Sequence, residues 1–425
     1  MKSYIHRLAE PLFSQTAEIM RIVLVSGPRQ CGKTTLLKAM LTKDDLFLTF
    51  DDDETLRSAM ADPNAFLRFY SRKYKRIALD EIQKAPVLLG ALKKTADEDP
   101  RPGRFLISGS SNYQALPGAV ESLAGRLGEV RLRTMSAREM AGNCSVDLID
   151  RLCQKDFGPL FYSPQDCSKS IVLAKALEGG YPGIIGKQPQ SRSIWFRNYI
   201  SRLIEKDLKD LGSFEKNGFM QHILDYLCLN SSRTLNVATL AQALGTTGVT
   251  LRRYLSALQT MYLVNEVPAW SKKPISRITK APKWFISDSG LMGACTRQTN
   301  IDSFMLWVAK NGKAGSDFIG NLIETWVYNQ LAPAIEATQE WSLYHLRVSA
   351  RQDIDFVLEN SLGELLLIEV KASESIATED FNHIRWFSEC NQGNVLGGIV
   401  LYCGQTVRTF GENLTAVPMA ALWNS

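Results

Sequence analysis

The sequence predicts an α/β chain of several domains, and three observations predict it. Residues 1–140 alternate short apolar runs with helical stretches, and a glycine-rich loop joins the first such run to a helix. Residues 316–425 read helix, strand, strand, strand, helix, strand. At 425 residues the chain exceeds one ordinary core. Four regions are expected. Residues 1–140 form a parallel sheet with helices on both faces, and 141–215 a helical lid or linker. Residues 216–295 form a helical module with a β-wing, and 316–425 a second α/β domain.

Composition narrows the class. Apolar content of 45% and charged content of 22% are ordinary for a soluble globular protein. No run of about 18 apolar residues offers a membrane span, and Met1-Lys2-Ser3-Tyr4-Ile5-His6-Arg7 lacks the apolar core of a signal peptide. The eight cysteines show neither zinc-knuckle spacing nor a secreted disulfide framework, which points to the reducing cytoplasm. A net charge of +5 is too mild to announce a nucleic-acid binder, so any basic surface must be local.

The strands of the first region are expected at Arg21–Ser26, Phe47–Phe50, Arg76–Leu79, Arg104–Ile107 and Glu129–Leu132. After the first comes Gly27-Pro28-Arg29-Gln30-Cys31-Gly32-Lys33-Thr34-Thr35, opening the helix Thr35–Met40. This is the P-loop pattern. Backbone N–H groups turn inward around a β-phosphate, and the helix N-terminus adds a positive dipole. Gly32 admits close approach, Lys33 bridges the β- and γ-phosphates, and Thr34 offers a hydroxyl to Mg²⁺. Cys31 reads as a space-filler. The third strand ends in Asp80-Glu81, placing Asp80 on the metal and Glu81 on the attacking water. The next ends in Ser108-Gly109-Ser110-Ser111-Asn112. Ser110 is the candidate γ-phosphate sensor, with a plain helix N-cap as the competing reading. Arg126 reads either as an arginine finger, given within the chain or to a neighbouring copy in a homo-oligomer, or as a salt-bridged surface arginine.

These runs, with Leu79-Asp80-Glu81-Ile82-Gln83-Lys84-Ala85-Pro86 and Glu121-Ser122-Leu123-Ala124-Gly125-Arg126, resemble a large prokaryotic family of AAA-type ATPases. Gly179-Gly180-Tyr181-Pro182, Ile286–Leu291 and Ile368-Glu369-Val370-Lys371 extend the resemblance over nearly the whole chain. In that family the ATPase precedes a C-terminal region long catalogued as a domain of unknown function. The resemblance implies an AAA-type ATPase, a winged helix and a restriction-endonuclease-like domain, and no biological role.

The middle module also stands on its own residues. Thr234–Gly245 reads as a helix closed by glycine, and Thr250–Gln259 as a second helix able to lie in a major groove. Leu251, Leu255 and Leu258 make its apolar face, while Arg252, Arg253 and Ser256 project outward. Leu263–Pro268 and Lys283–Ile286 are expected to pair as a wing. Between residues 250 and 285, Arg252, Arg253, Lys272, Lys273, Arg277, Lys280 and Lys283 stand against one acid, Glu266. This local excess favours phosphate contacts, with DNA as the favoured partner, although winged helices also serve as protein-binding modules.

In the last region, helix Asp317–Leu331 carries Glu324, strand Ile354–Leu358 carries Asp355, and strand Leu365–Val370 leads into Glu369-Val370-Lys371. Residues 369 and 371 share a strand face, and Asp355 meets them from the neighbouring strand. The pattern matches the Asp…Glu-x-Lys signature of the restriction-endonuclease superfamily. Glu324, Asp355 and Glu369 would hold Mg²⁺ or Mn²⁺, and Lys371 would position water or stabilise the pentavalent charge. Asp353 competes with Asp355 for the metal, and a purely structural ion cluster is a competing reading of the whole set. Two functions follow. One is an ATPase coupled to DNA binding and metal-dependent phosphodiester cleavage. The other is an ATP-switched regulator that binds DNA or protein through an inactive nuclease-like domain.

Overall fold

The computed structural model describes residues 4–109, 123–210, 217–349, 352–391 and 393–424. The chain divides into two compact units, residues 1–134 with 260–262, and residues 135–259 with 263–425. Apart from Thr260–Tyr262, the regions expected at 141–215, 216–295 and 316–425 therefore lie within the second unit.

In the first unit, β1 (Ile22–Ser26), β2 (Leu46–Thr49), β3 (Ile77–Asp80), β4 (Phe105–Gly109) and β5 (Leu127–Arg131) form one sheet ordered β2-β3-β4-β1-β5. Every neighbouring pair is parallel. The central strands are apolar without interruption because both faces are covered. Alternation along them still sorts the two layers. Ile22, Leu24, Ile77, Leu79, Phe105 and Ile107 pack with the helix Leu88–Glu98. Val23, Val25, Ala78 and Leu106 pack with Phe13 and with Leu36 and Leu37 of the helix Lys33–Ala39. Each such side chain, fully removed from water, contributes roughly 1.5–3 kcal/mol. Parallel pairing puts the C-terminal ends of β1, β3 and β4 on one rim, so the loop after Ser26, the Asp80-Glu81 turn and Ser108 converge there.

The second unit contains two sheets. The smaller is antiparallel, with β8 (Lys283–Ile286) between β6 (Arg233–Thr234) and β7 (Val264–Val267). The helices Val237–Ala243 and Gly248–Thr260 precede β7 in the chain. The larger sheet joins β9 (Trp341–Ser349), β10 (Gln352–Asn360), β11 (Leu365–Lys371), β12 (Val395–Tyr402), β13 (Arg408–Thr409) and β14 (Leu414–Pro418), in the order β13-β14-β12-β11-β10-β9. The strands β9, β10 and β11 run antiparallel, and β12 and β14 continue in parallel from β11. The two sheets touch through backbone: His345 N donates to Pro268 O at 3.0 Å and Trp270 N to His345 O at 2.6 Å.

The helix expected over 317–331 is longer, running Ile301–Thr338 with a break at Gly312, where φ is 53°. Asn300 caps its start. Pro333 does not end it, because Leu331, Ala332, Ala334 and Ile335 around the proline remain buried. Among the described residues no helix is long and apolar enough to cross a membrane.

Candidate functional site

The loop after β1 has the backbone of a phosphate cradle. Gly27, Gln30 and Gly32 take φ of 145°, 62° and 106°, and such alternation turns successive N–H groups toward one point. Only glycine fits at 27, since a Cβ there would lie 2.1 Å from the Leu132 carbonyl oxygen. Cys31 is fully buried with its thiol 3.4 Å from the same carbonyl, a filling role. Lys33 is 5% exposed, and its ammonium donates to the carbonyls of Gly27 at 3.0 Å and Pro28 at 2.8 Å. The cation is thus held at the mouth of the loop, where anionic phosphate oxygens would replace neutral carbonyls as its acceptors. Pro28 is buried, Arg29 half-buried, and Gln30 and Thr35 are exposed.

Thr34 Oγ1 donates toward both oxygens of Asp80, 3.0 Å from each. Ser108 Oγ donates to Asp80 Oδ1 and accepts from the Glu81 backbone N–H at 3.2 Å. A hydroxyl and a carboxylate sharing one small volume are hard oxygen donors suited to Mg²⁺, whose other positions go to phosphate and water. These residues fit the ion. Glu81 sits in the left-handed region at φ 61°, ψ 46°, and Gln83 Nε2 donates to its carboxylate. That turn separates the roles of adjacent acids, aiming Asp80 at Thr34 while Gln83 fixes Glu81.

Two expected members of this site differ. Ser110 lies outside the described residues. Arg126 stands just before β5, and Ile22 N bonds its carbonyl at 3.0 Å, whereas the nucleotide loop leaves β1 after Ser26. At about 3.3 Å per residue, a strand length of roughly 16 Å separates them. Its guanidinium is bidentate on Asp97, at 2.6 and 2.9 Å. A finger acting on its own loop is therefore corrected to a surface ion pair at the opposite rim. Arg7 was missed by sequence reasoning. It is 3% exposed and donates to Cys31 O at 3.0 Å and Arg133 O at 2.7 Å, tying the loop's back to the strand end beyond β5. A lone arginine before a helix gave no signal of this.

In the second unit, β10 and β11 bring the expected carboxylates together. The register Phe356↔Ile368 puts Asp355 opposite Glu369, and a bulge between Ile354 and Val357 aims Asp355 inward. Lys283, counted from sequence as a wing cation, lies in their midst. It is 3% exposed, 2.9 Å from Glu324 Oε1, 3.1 Å from Asp355 Oδ1 and 4.0 Å from Asp353 Oδ1. Burial would push this ammonium down, but the three carboxylates overcome that and hold it above its usual value. Burial and Asp355 push Glu324 up to about 8. Burial, then Asp355, does the same to Glu369, whose Oε1 lies 3.3 Å from His383 Nδ1. Asp355 Oδ2 accepts from Val370 N at 2.9 Å, and Lys371 faces Asp380 at 3.9 Å.

The expected metal set of Glu324, Asp355 and Glu369 is brought together with a fourth charged group. An ammonium already stands between the first two, and the third turns to a histidine. Among the described residues no group of three His, Cys, Asp or Glu side chains is arranged to hold a metal.

The helix Gly248–Thr260 exposes Arg252, Arg253 and Ser256 and buries Leu251, Leu255 and Leu258. Lys272, Lys273 and Lys280 are exposed as well. Arg277 is withdrawn from the basic surface into a bidentate pair with Glu359, 2.5 and 2.8 Å long.

Residues 20–141 match a family of AAA domains. Residues 173–302 and 319–422 match two domains of unknown function, DUF8612 and DUF4143. Uncharacterized proteins from Mycobacterium tuberculosis and Mycobacterium bovis are each 29% identical over 356 residues, covering 83% of this chain and 71% of theirs. The N-terminal domain is accordingly of the AAA type, a nucleotide-binding ATPase fold.

Proposed function

We propose that this chain is an ATP-driven switch that hydrolyses Mg-ATP and grips DNA through its middle module, without cutting it. The observation that carries the reading is the hydroxyl–carboxylate contact of Thr34 with Asp80, beside a lysine held by its own loop. On this reading Lys33 binds the β- and γ-phosphates, Thr34 and Asp80 hold the ion, and Glu81 orients the attacking water. Bound Mg²⁺ would neutralise the charge that develops on the phosphate oxygens. Gln83 donates to the Glu81 carboxylate and holds it in place.

DNA is favoured by the exposed basic residues of the middle module, read as a winged helix. Arg252 and Arg253 lie on its second helix, and Lys272 and Lys273 follow β7. Cleavage is left out because Lys283 occupies the carboxylate cluster that would hold the ion. The test is fluorescence anisotropy of duplex DNA with the full chain, across a salt series. Neutralising Arg252, Arg253, Lys272 and Lys273 together should weaken binding and flatten the salt slope by up to about 4. An unchanged slope would move the reading to a protein partner.

A further inference from the structure

We propose that the Lys283 ammonium stands permanently in place of a divalent cation between Glu324 and Asp355, making the cluster a closed internal ion pair. The geometry assigns this. Its nitrogen lies 2.9 and 3.1 Å from one oxygen of each carboxylate, and its side chain is 4% exposed. A bound Mg²⁺ needs such oxygens at about 2.0–2.1 Å. Two cations cannot share that space, so the metal would have to expel the lysine.

The backbone opposes expulsion. Lys283 begins β8, the middle strand of its sheet, and pairs with Thr234 on one side and Val267 on the other. The side chain is therefore aimed from a strand fixed on both edges. The acceptors are committed too. The second oxygen of Asp355 takes the Val370 N–H at 2.9 Å, and Glu369 lies 3.3 Å from His383. One ammonium thus answers the carboxylates of both Glu324 and Asp355. The lysine also ties the small sheet to the helix Ile301–Thr338 and to β10, so one residue replaces a metal and joins three elements. This inference underlies the reading that DNA is not cut; it stands apart from the nucleotide chemistry, which holds even if it fails.

The experiment counts bound Mn²⁺ by electron paramagnetic resonance on the full chain without nucleotide. Any ion near Thr34 and Asp80 is common to all variants and cancels. Wild type and Glu324→Gln, an isostere that still accepts from the ammonium, should hold the same number. Lys283→Met should gain one Mn²⁺ per chain and lose it again when combined with Asp355→Asn. A Mn²⁺ bound by wild type and lost in Glu324→Gln would overturn the proposal, and this arm stands even if Lys283→Met fails to fold. A folded Lys283→Met chain that gains no ion would overturn it equally.

Discussion

Replacing Arg7 with methionine should loosen the nucleotide loop from behind while leaving every phosphate-facing group in place. The guanidinium is buried and donates to the carbonyls of Cys31 and Arg133 at 3.0 and 2.7 Å. Hydrogen bonds from a charged donor each contribute about 1.5–3 kcal/mol, so losing both costs the first unit roughly 3–6 kcal/mol. Methionine keeps much of the side chain's apolar bulk, so the cost falls on the polar contacts. Cys31 lies inside the loop, next to Gly32 and Lys33. If about 1.4 kcal/mol of the loss is recovered only by ordering the loop on nucleotide, affinity falls about tenfold. The assay is titration of a fluorescent ATP analogue, beside urea unfolding followed by circular dichroism. Affinity within twofold of wild type, with an unchanged unfolding midpoint, would refute the argument that Arg7 supports the loop.

Three further outcomes are expected. Glu81→Gln should keep ATP binding within a few-fold and cut turnover about 10²–10⁴-fold, the usual effect of removing a catalytic base, in a coupled phosphate-release assay. Arg126→Ala should change turnover by less than about threefold, because its guanidinium is held by Asp97 at the far rim. A loss near 10³-fold would instead mean that a neighbouring copy donates it. His345 is 1% exposed, and burial, then the Lys283 charge, pushes it down to about 4. Because its folded value lies below the ordinary 6.5, the unfolded chain takes up the proton first and stability falls as pH drops from 6.5 toward 4. Denaturant unfolding should show wild type losing about 2–3 kcal/mol more than His345→Gln between pH 7 and pH 4.5.

What was legible in the sequence was contiguous in it. Gly27–Thr34 carries its own strand, loop and helix, and β3 delivers Asp80-Glu81 with the apolar run that buries it. The strands β10 and β11 were equally readable, because alternation fixes which side chains share a face. Contacts between distant segments were not readable. Lys283 lies 41 residues before Glu324 and 72 before Asp355, and in sequence it looked like one more wing lysine. Its burial depends on β8 being the middle strand of a sheet, which local pattern does not reveal. Arg277 was misjudged for the same reason, its partner Glu359 lying 82 residues on. Ser108 was passed over in favour of Ser110 because both end the same apolar run. The register β3–β4 is what sets the Ser108 hydroxyl against Asp80. For Arg126 the sequence offered both a finger and a surface ion pair, and only the parallel register, which puts it at the rim away from its own loop, separates the two within one chain.

The central claim is that nucleotide turnover at Lys33, Thr34, Asp80 and Glu81 answers to nucleic acid held by the other unit. Steady-state ATP hydrolysis with Mg²⁺ tests it most directly, measured with and without duplex, single-stranded and branched DNA beside a Lys33→Ala control. The account predicts turnover that one DNA form changes at least about threefold and that Lys33→Ala abolishes. Turnover indifferent to every DNA form, or surviving in Lys33→Ala, would contradict it.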